Sequence, residues 1–144
     1  MRKVYLASPF FTEKELVIYK EVIELLRSLK DTEVFVPMEH EIKNGGDMSN
    51  QEWARRVFEN DRRAIYDSEF VFVINFGMYS DSGTAWEAGY AFALGKKVYQ
   101  IVCGDNCDYS LMMMNGCTHI ITLDDLRKGI LPENSDRLEN IVQK

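Results

Sequence analysis

Glu87 is a carboxylate whose surroundings in this sequence favour chemistry over solvation. On a helical wheel it shares a face with Gly83, Trp86, Tyr90 and Leu94, so rings and an aliphatic chain surround it. Removal from water raises the pKa of a carboxyl group unless donors stabilise the anion. Carboxylates perturbed in this way are frequent at functional sites. The alternative is a glutamate at the rim of an oligomer contact.

Asp61 is a second acid in an apolar setting. The segment 50–67 predicts an amphipathic helix, and Asp61 falls in the middle of its apolar stripe. That stripe is formed by Trp53, Ala54, Val57, Phe58, Ala64 and Ile65. A buried charge must be paired, hydrogen-bonded or neutralised, since leaving it alone costs roughly several kcal/mol. An aspartate that caps a neighbouring loop from inside is the structural alternative.

The helix that carries Glu87 is predicted over about residues 83–94. Asp81 and Ser82 are favourable N-cap types, and Gly95 followed by two lysines suits the C-terminal end. Its opposite face is expected to lie close to a sheet, with Phe92 at the centre of the contact. The small residues of that face are Thr84, Ala85, Ala88, Gly89, Ala91 and Ala93.

Strand and helix patterns alternate along the rest of the chain. Strands are predicted at residues 4–8, 34–36, 70–75, 98–102 and 119–122. Thr12 and Glu15 form a capping box that predicts a helix after the first strand. A short helical turn is predicted at 110–114 and a terminal helix at 133–142. The long polar loop 38–50 is of the kind that often carries function.

This alternation predicts a single α/β domain over residues 1–144. We expect a doubly wound, five-stranded parallel sheet of flavodoxin-like or Rossmann-like order, with helices on both faces. Ligands of such sheets bind outside the carboxyl ends of the strands. The loops 5–11, 38–50 and 75–87 should therefore meet at one edge. Whether Asp61 faces the same crevice depends on the fold.

Composition narrows the classes of partner. The net charge is −6, and the 17 basic residues are dispersed among 23 acidic ones, which argues against a nucleic-acid polymer. The sequence shows neither a membrane-spanning segment nor an export signal, so a cytoplasmic location is expected.

Neither a metal nor a cofactor is expected. The three cysteines lack the spacing of a disulfide framework or a zinc site and are interpreted as buried or incidental thiols. The two histidines form no metal-binding motif, and the glycine-rich dinucleotide and phosphate loops are absent. The remaining carboxylates and rings suit attack at the anomeric carbon of a sugar whose base stacks on the rings.

Three segments resemble the nucleoside 2-deoxyribosyltransferase family. They are VYLASPFF at residues 4–11, END at 59–61 and DSGTAWEAGYA at 81–91, and the last is the most specific. The resemblance covers most of the chain. It implies exchange of the base of a 2′-deoxynucleoside with a free nucleobase, through a covalent deoxyribosyl-glutamate.

The resemblance also implies residue roles. Glu87 matches the nucleophile, Tyr5 the hydroxyl that orients it, and Asp61 the acid near the departing base. Asp81 matches the contact to the 5′-hydroxyl of the sugar. The other substrate-binding residues implied are Gly83, Ser8, Phe10, Phe11, Ser110 and Met112.

Three alternatives remain open at this stage. A related branch hydrolyses deoxynucleoside 5′-monophosphates, but Asp81 would repel a phosphate and residues 7–12 contain no cation. Gly83, Thr84 and Glu87 also fit the GTxxE element of phosphoribohydrolases, without the glycines that normally precede it. A nucleoside-binding module without catalysis is the third.

A homo-oligomer with shared sites is expected. The apolar residues beside Glu87 and the cluster Met112 to Met114 exceed what a small monomer usually exposes. In the family, dimers associate into hexamers and an asparagine completes the site of a neighbouring subunit. Ser110 stands at that position here, and serine is what the hydrolase branch shows. The aromatic carboxy-terminus usual in the family is also missing, since the chain ends at Lys144.

Overall fold

The computed structural model describes residues 1–44, 46–104 and 108–129. The strands are β1 (Arg2–Ala7), β2 (Thr32–Phe35), β3 (Phe70–Asn75), β4 (Lys97–Val102) and β5 (His119–Thr122). The helices are α1 (Glu13–Arg27), α2 (Asn50–Asp67), α3 (Ser82–Ala93), α4 (Leu111–Asn115) and α5 (Leu123–Arg127), with a 3-10 helix at Pro37–His40. The helix predicted at 133–142 lies outside the described residues. Within them, no helix combines the length and apolarity needed to cross a bilayer.

The five strands form one parallel sheet in the order β2-β1-β3-β4-β5. This is the flavodoxin-like order, and it confirms the predicted fold class. Helices α1 and α5 pack against each other on one face of the sheet, while α2, α3 and α4 form a layer on the other. The direction of each crossover follows from the right-handed rule for parallel strands.

Alternation along β1 decides which side chains meet which helices. Val4 and Leu6 belong to the core beneath α1, whereas Tyr5 and Ala7 belong to the core beneath α2 and α3. Successive side chains of a strand point to opposite faces, so this division is dictated by the sequence. Tyr5 therefore lies under the two helices that carry Asp61 and Glu87.

The helix starts follow the predicted capping chemistry. Thr12 Oγ1 accepts the Glu15 amide at 3.2 Å, and Glu15 Oε1 accepts the Thr12 amide at 2.9 Å, which completes the capping box of α1. Helix α5 was not predicted, although Thr122 and Asp125 form the same box at its start. Its five residues are too few to show a helical period.

The buried face of α3 differs from the prediction. Thr84, Ala88 and Ala91 are buried against the sheet, whereas Phe92 is 44% exposed. The three small side chains allow close packing of the helix, and the bulky ring lies toward α4 instead. The helical wheel therefore predicts the correct buried face of α3, but Phe92 does not lie at the centre of that face.

The apolar stripe of α2 is only partly buried within one chain. Ile65 is buried, but Trp53 and Phe58 near the start of the helix are 36% and 45% exposed. The Cys117 thiol is buried and donates to the Met114 carbonyl, and the Cys103 thiol is partly buried and donates to the Asn75 carbonyl, as the sequence indicated. Cys107 lies outside the described residues.

Candidate active site

A hydrogen bond between β1 and α3 forms the centre of the site. Tyr5 is fully buried, and its hydroxyl donates to Oε2 of Glu87. Burial raises the pKa of Tyr5 far above its ordinary value, and the neighbouring acids Glu87 and Asp61 raise it further. The phenol therefore stays protonated at physiological pH and acts as a fixed donor to the carboxylate.

Glu87 lies half-buried in the second turn of α3. Burial raises its pKa to about 7, and the charges of Asp61 and Asp81 act in the same direction. The hydrogen bond from Tyr5 opposes this shift, because it stabilises the anion. Glu87 is thus a carboxyl group that changes its charge near neutral pH.

Asp61 is half-buried on α2, and burial affects its pKa as it does that of Glu87. Burial raises its pKa to about 6, while the charge of His40 lowers it. Asp61 and Glu87 line the same cleft although they lie on different helices, and the charge of Asp61 contributes to the raised pKa of Glu87. The fold therefore brings together Tyr5, Asp61 and Glu87, the three residues that the sequence singled out for catalysis.

Both acids line a cleft of about 410 Å³ between α2 and α3. Its lining residues are Phe58, Asp61, Arg62, Ile65, Gly83, Trp86 and Glu87. The Trp86 ring meets Phe58 edge-on and stacks on Tyr90, each with ring centroids 5.2 Å apart. Trp86 is 47% exposed, so an aromatic rim borders the carboxylate, as the sequence indicated.

Arg62 also lines this cleft, although its place in the sequence did not identify it as a site residue. Its guanidinium pairs with Glu59 at 2.8 Å and donates to the Tyr90 hydroxyl at 3.1 Å. The available signal was the i,i+3 spacing of Glu59 and Arg62 next to Asp61. The pairing partly neutralises the cation and fixes its position between the two helices.

Asp81 holds the start of α3. Its Oδ2 accepts hydrogen bonds from the Thr84 amide at 2.9 Å and the Thr84 hydroxyl at 3.1 Å. A Cβ at Gly83 would lie 3.1 Å from the same oxygen, so a larger side chain there would crowd the cap. Asp81 therefore ties its own position to that of the helix bearing Glu87.

The first loop leaves β1 at the carboxyl edge of the sheet. Ser8 is buried and donates to the Pro9 carbonyl at 2.8 Å. Phe10 stacks on Tyr19 of α1 and on Phe11, with centroids 5.3 and 5.4 Å apart. Phe11 is 75% exposed, so its ring is available to a ligand or a partner at this edge.

The second loop is joined to the site by a stack of rings. Phe35 stacks on Tyr5 with centroids 5.7 Å apart, and His40 stacks on Phe35 at 4.1 Å. The Asn60 amide lies 3.5 Å from the His40 carbonyl, next to Asp61 in the chain. The start of the predicted 38–50 loop is thereby held beside the acid on α2.

Ser110 and Met112 do not meet Glu87 within one chain. Ser110 caps α4, and both residues line a separate cleft of about 550 Å³ on the other side of α3. Met112 is 77% exposed. The substrate-binding roles that the resemblance implies for them would require a second copy of the chain.

Removing the Tyr5 hydroxyl should raise the pKa of Glu87. The phenol stabilises the anion, so in Tyr5→Phe we expect a pKa above about 7, higher by about one unit for one lost bond to a charged group. NMR titration of ¹³C-labelled glutamate side chains measures this directly. Tyr66→Phe, on the exposed side of α2, is the matched control. An unchanged or lower pKa would show that the hydrogen bond does not stabilise the carboxylate.

Comparisons with known proteins identify the family of this chain. The family model described as nucleoside 2-deoxyribosyltransferase matches residues 4–141. The 2-deoxyribosyltransferase of the psychrotolerant bacterium Bacillus psychrosaccharolyticus is 32% identical, with a TM-score of 0.75. That match covers 98% of this chain and 97% of the other. No curated protein matches the sequence significantly.

Two further solved structures share the fold. A conserved protein of Enterococcus faecalis is 24% identical with a TM-score of 0.60, over 70% of this chain and 63% of its own. The CMP N-glycosidase of Clostridium botulinum is 19% identical with a TM-score of 0.58, over 89% of this chain and 95% of its own. At these identities the likeness concerns architecture alone.

Proposed function

Because the chain belongs to the nucleoside 2-deoxyribosyltransferase family, we propose that it exchanges the base of a 2′-deoxynucleoside by double displacement at Glu87. Membership indicates an enzyme that acts on nucleosides, by deoxyribosyl transfer or by related N-glycosidase chemistry. The observation that carries the narrower proposal is the half-buried Glu87 carboxyl, which accepts a hydrogen bond from Tyr5 beside a second acid.

In the first half-reaction, an oxygen of Glu87 attacks C1′ of the deoxyribose. The C1′–N bond breaks, its electron pair stays on the base nitrogen, and Asp61 supplies a proton to the departing base. In the second half-reaction a new base attacks C1′, the C1′–O bond to Glu87 breaks, and Asp61 takes up the proton of the incoming base. Two inversions at C1′ give net retention.

The productive protonation state has an ionised Glu87 and a protonated Asp61. It is the less populated of the two singly protonated states, because the pKa of Glu87 is about 7 and that of Asp61 about 6. Tyr5 favours it by stabilising the Glu87 anion. A base lying over Asp61 would exclude water from that carboxyl and raise its pKa further. Two acids that titrate close together can thus divide the roles of nucleophile and proton donor.

Hydrolysis is the second candidate, in which water takes the place of the incoming base. The observation that favours it is Ser110, which stands where the family carries asparagine and the hydrolase branch carries serine. Under this alternative the same Glu87 adduct forms, and free deoxyribose or its 5′-phosphate leaves.

Product analysis separates these outcomes. The enzyme is incubated with thymidine and adenine, and in parallel with thymidine 5′-monophosphate and adenine, and the products are resolved by chromatography. We expect deoxyadenosine from thymidine as the major product. Free deoxyribose as the major product would establish hydrolysis, turnover of the phosphate ester alone would establish a nucleotide substrate, and tight binding without base release would establish a binding module.

A further inference from the structure

The side chain of Asn75 is the centre of a buried polar network at the carboxyl edge of the sheet. Asn75 ends β3, is fully buried and faces the same side of the sheet as Tyr5. Its Oδ1 accepts the Gly77 amide at 3.0 Å, and the Ser80 hydroxyl lies 3.0 Å from the same oxygen. Its Nδ2 donates to Gln100 Oε1 at 3.2 Å on the neighbouring strand β4.

Each contact constrains the amide in a different way. The Gly77 amide can only donate, so it fixes the oxygen of Asn75 toward the loop and the nitrogen toward Gln100. Gly77 itself has φ of 130°, a conformation that side chains rarely adopt. Gln100 is also fully buried, so the sheet supplies a rigid anchor for the amide.

The loop held in this way leads directly into the site. Ser80 also lies 2.6 Å from the Gly77 carbonyl, which closes residues 77–80 on themselves. Asp81 follows at once, and its Oδ2 caps α3 through Thr84. The position of Asp81 therefore depends on where the Asn75 amide holds the loop.

We propose that Asn75 is a positioning residue that sets the place of Asp81 and hence recognition of the sugar's 5′-hydroxyl. The role of Asp81 is the one that the family resemblance implies, and it rests on the proposed function, while the anchoring of the loop stands on the contacts alone. Asn75 itself touches no substrate. Alanine would remove the acceptor for Gly77 and Ser80, and it would leave Gln100 Oε1 without this donor.

The first experiment needs no activity. Hydrogen exchange in the full chain is followed by mass spectrometry for peptides spanning residues 76–85. In Asn75→Ala we expect hydrogen exchange at least about tenfold faster in this segment. The anchoring hydrogen bonds are absent in the variant, so opening of the segment no longer requires breaking them. Ser80→Ala removes both contacts of the hydroxyl but keeps the bond from the Gly77 amide to Asn75, so it should show a smaller increase. It also keeps the test available should Asn75→Ala fail to fold. Unchanged exchange in the folded variants would overturn the proposal.

The second experiment asks whether the loop acts through Asp81. The ratio of kcat/KM for a 2′-deoxynucleoside over its 5′-deoxy counterpart is measured in wild type, Asn75→Ala and Ser80→Ala. Displacement of Asp81 should lower this ratio roughly tenfold in Asn75→Ala, since small misplacements cost up to about 100-fold. An equal loss on both substrates would mean a merely structural role and would overturn the proposal.

Controls keep the two hypotheses apart. Asn115→Ala removes an exposed amide on α4 that donates to the Leu111 carbonyl at 2.8 Å, and it should leave both readouts unchanged. A wild type that turns over no nucleoside would refute the proposed function. One that turns over nucleosides but ignores the 5′-hydroxyl would overturn the role of Asp81 and with it the proposed link to Asn75. The hydrogen-exchange experiment would then still test whether Asn75 anchors the loop.

Discussion

Glu87→Gln should reduce base exchange by roughly 10⁴-fold or more, the scale of loss seen when a catalytic nucleophile is removed. Glutamine keeps the size of the side chain and can still accept a hydrogen bond from Tyr5. It lacks the anionic oxygen that would bond to C1′. Steady-state kinetics with a deoxynucleoside donor and a free base acceptor measure the loss.

Mass spectrometry tests the same residue without turnover. Wild-type enzyme incubated with a deoxynucleoside and no acceptor should gain one deoxyribosyl group, and peptide mapping should place it on Glu87. The glutamine variant should gain none. An adduct elsewhere, or full exchange activity in the variant, would exclude Glu87 as the nucleophile.

The stability of this variant separates lost chemistry from lost folding. Glu87 has a folded-state pKa of about 7, above its ordinary value of about 4.3. The wild type therefore loses stability as pH rises through this window, because the folded state must hold an ionised group away from water. Glu87→Gln should melt higher than wild type at pH 8 and differ little at pH 4. Glu24→Gln, on the exposed side of α1, is the matched control.

The local cost of placing an acid on an apolar helix face is the reason that the sequence singles out Glu87 and Asp61 as candidate site residues. Glu87 and Asp61 interrupt otherwise apolar helix faces, and an acid in such a place stands out by its local cost. Strand alternation then placed Tyr5 on the side of the sheet where both helices pack. The strong strand and helix periods fixed the sheet, since parallel strands and right-handed crossovers leave few arrangements.

Other features depend on contacts that no local pattern encodes. The rotation of α3 is set by how Thr84, Ala88 and Ala91 fit the sheet, which a wheel cannot resolve. Arg62 and Asn75 are ordinary polar residues in the sequence, and their meaning comes from partners on other elements. The separation of Ser110 from Glu87 likewise reflects the path of the chain around α3.

Asp61→Asn should lower kcat/KM for natural deoxynucleosides by roughly 10²–10⁴-fold, the usual contribution of a general acid. Asparagine keeps the shape of the side chain but cannot release a proton to the departing base. A 2-deoxyribosyl substrate whose leaving group departs as a stable anion needs no such proton. For that substrate we expect a loss below about tenfold.

The pH dependence of kcat/KM tests the role of Asp61 independently. In the wild type, kcat/KM should be bell-shaped with apparent pKa values of about 6 and about 7, because Glu87 must be ionised and Asp61 protonated. In Asp61→Asn the decrease of kcat/KM on the alkaline side should disappear. The rise on the acid side should then report the ionisation of Glu87 alone, at a pH somewhat below about 7, since the Asp61 charge no longer raises the pKa of Glu87.

Asp67→Asn, at the exposed end of α2, is the matched control and should leave the profile unchanged. An equal loss on the natural and the activated substrate would mean that Asp61 acts through binding or structure. Microscopic reversibility adds a stricter demand: the group that protonates the departing base must deprotonate the incoming one. The variant must therefore slow transfer from a preformed Glu87 adduct to a free base as strongly as it slows adduct formation from the matching deoxynucleoside.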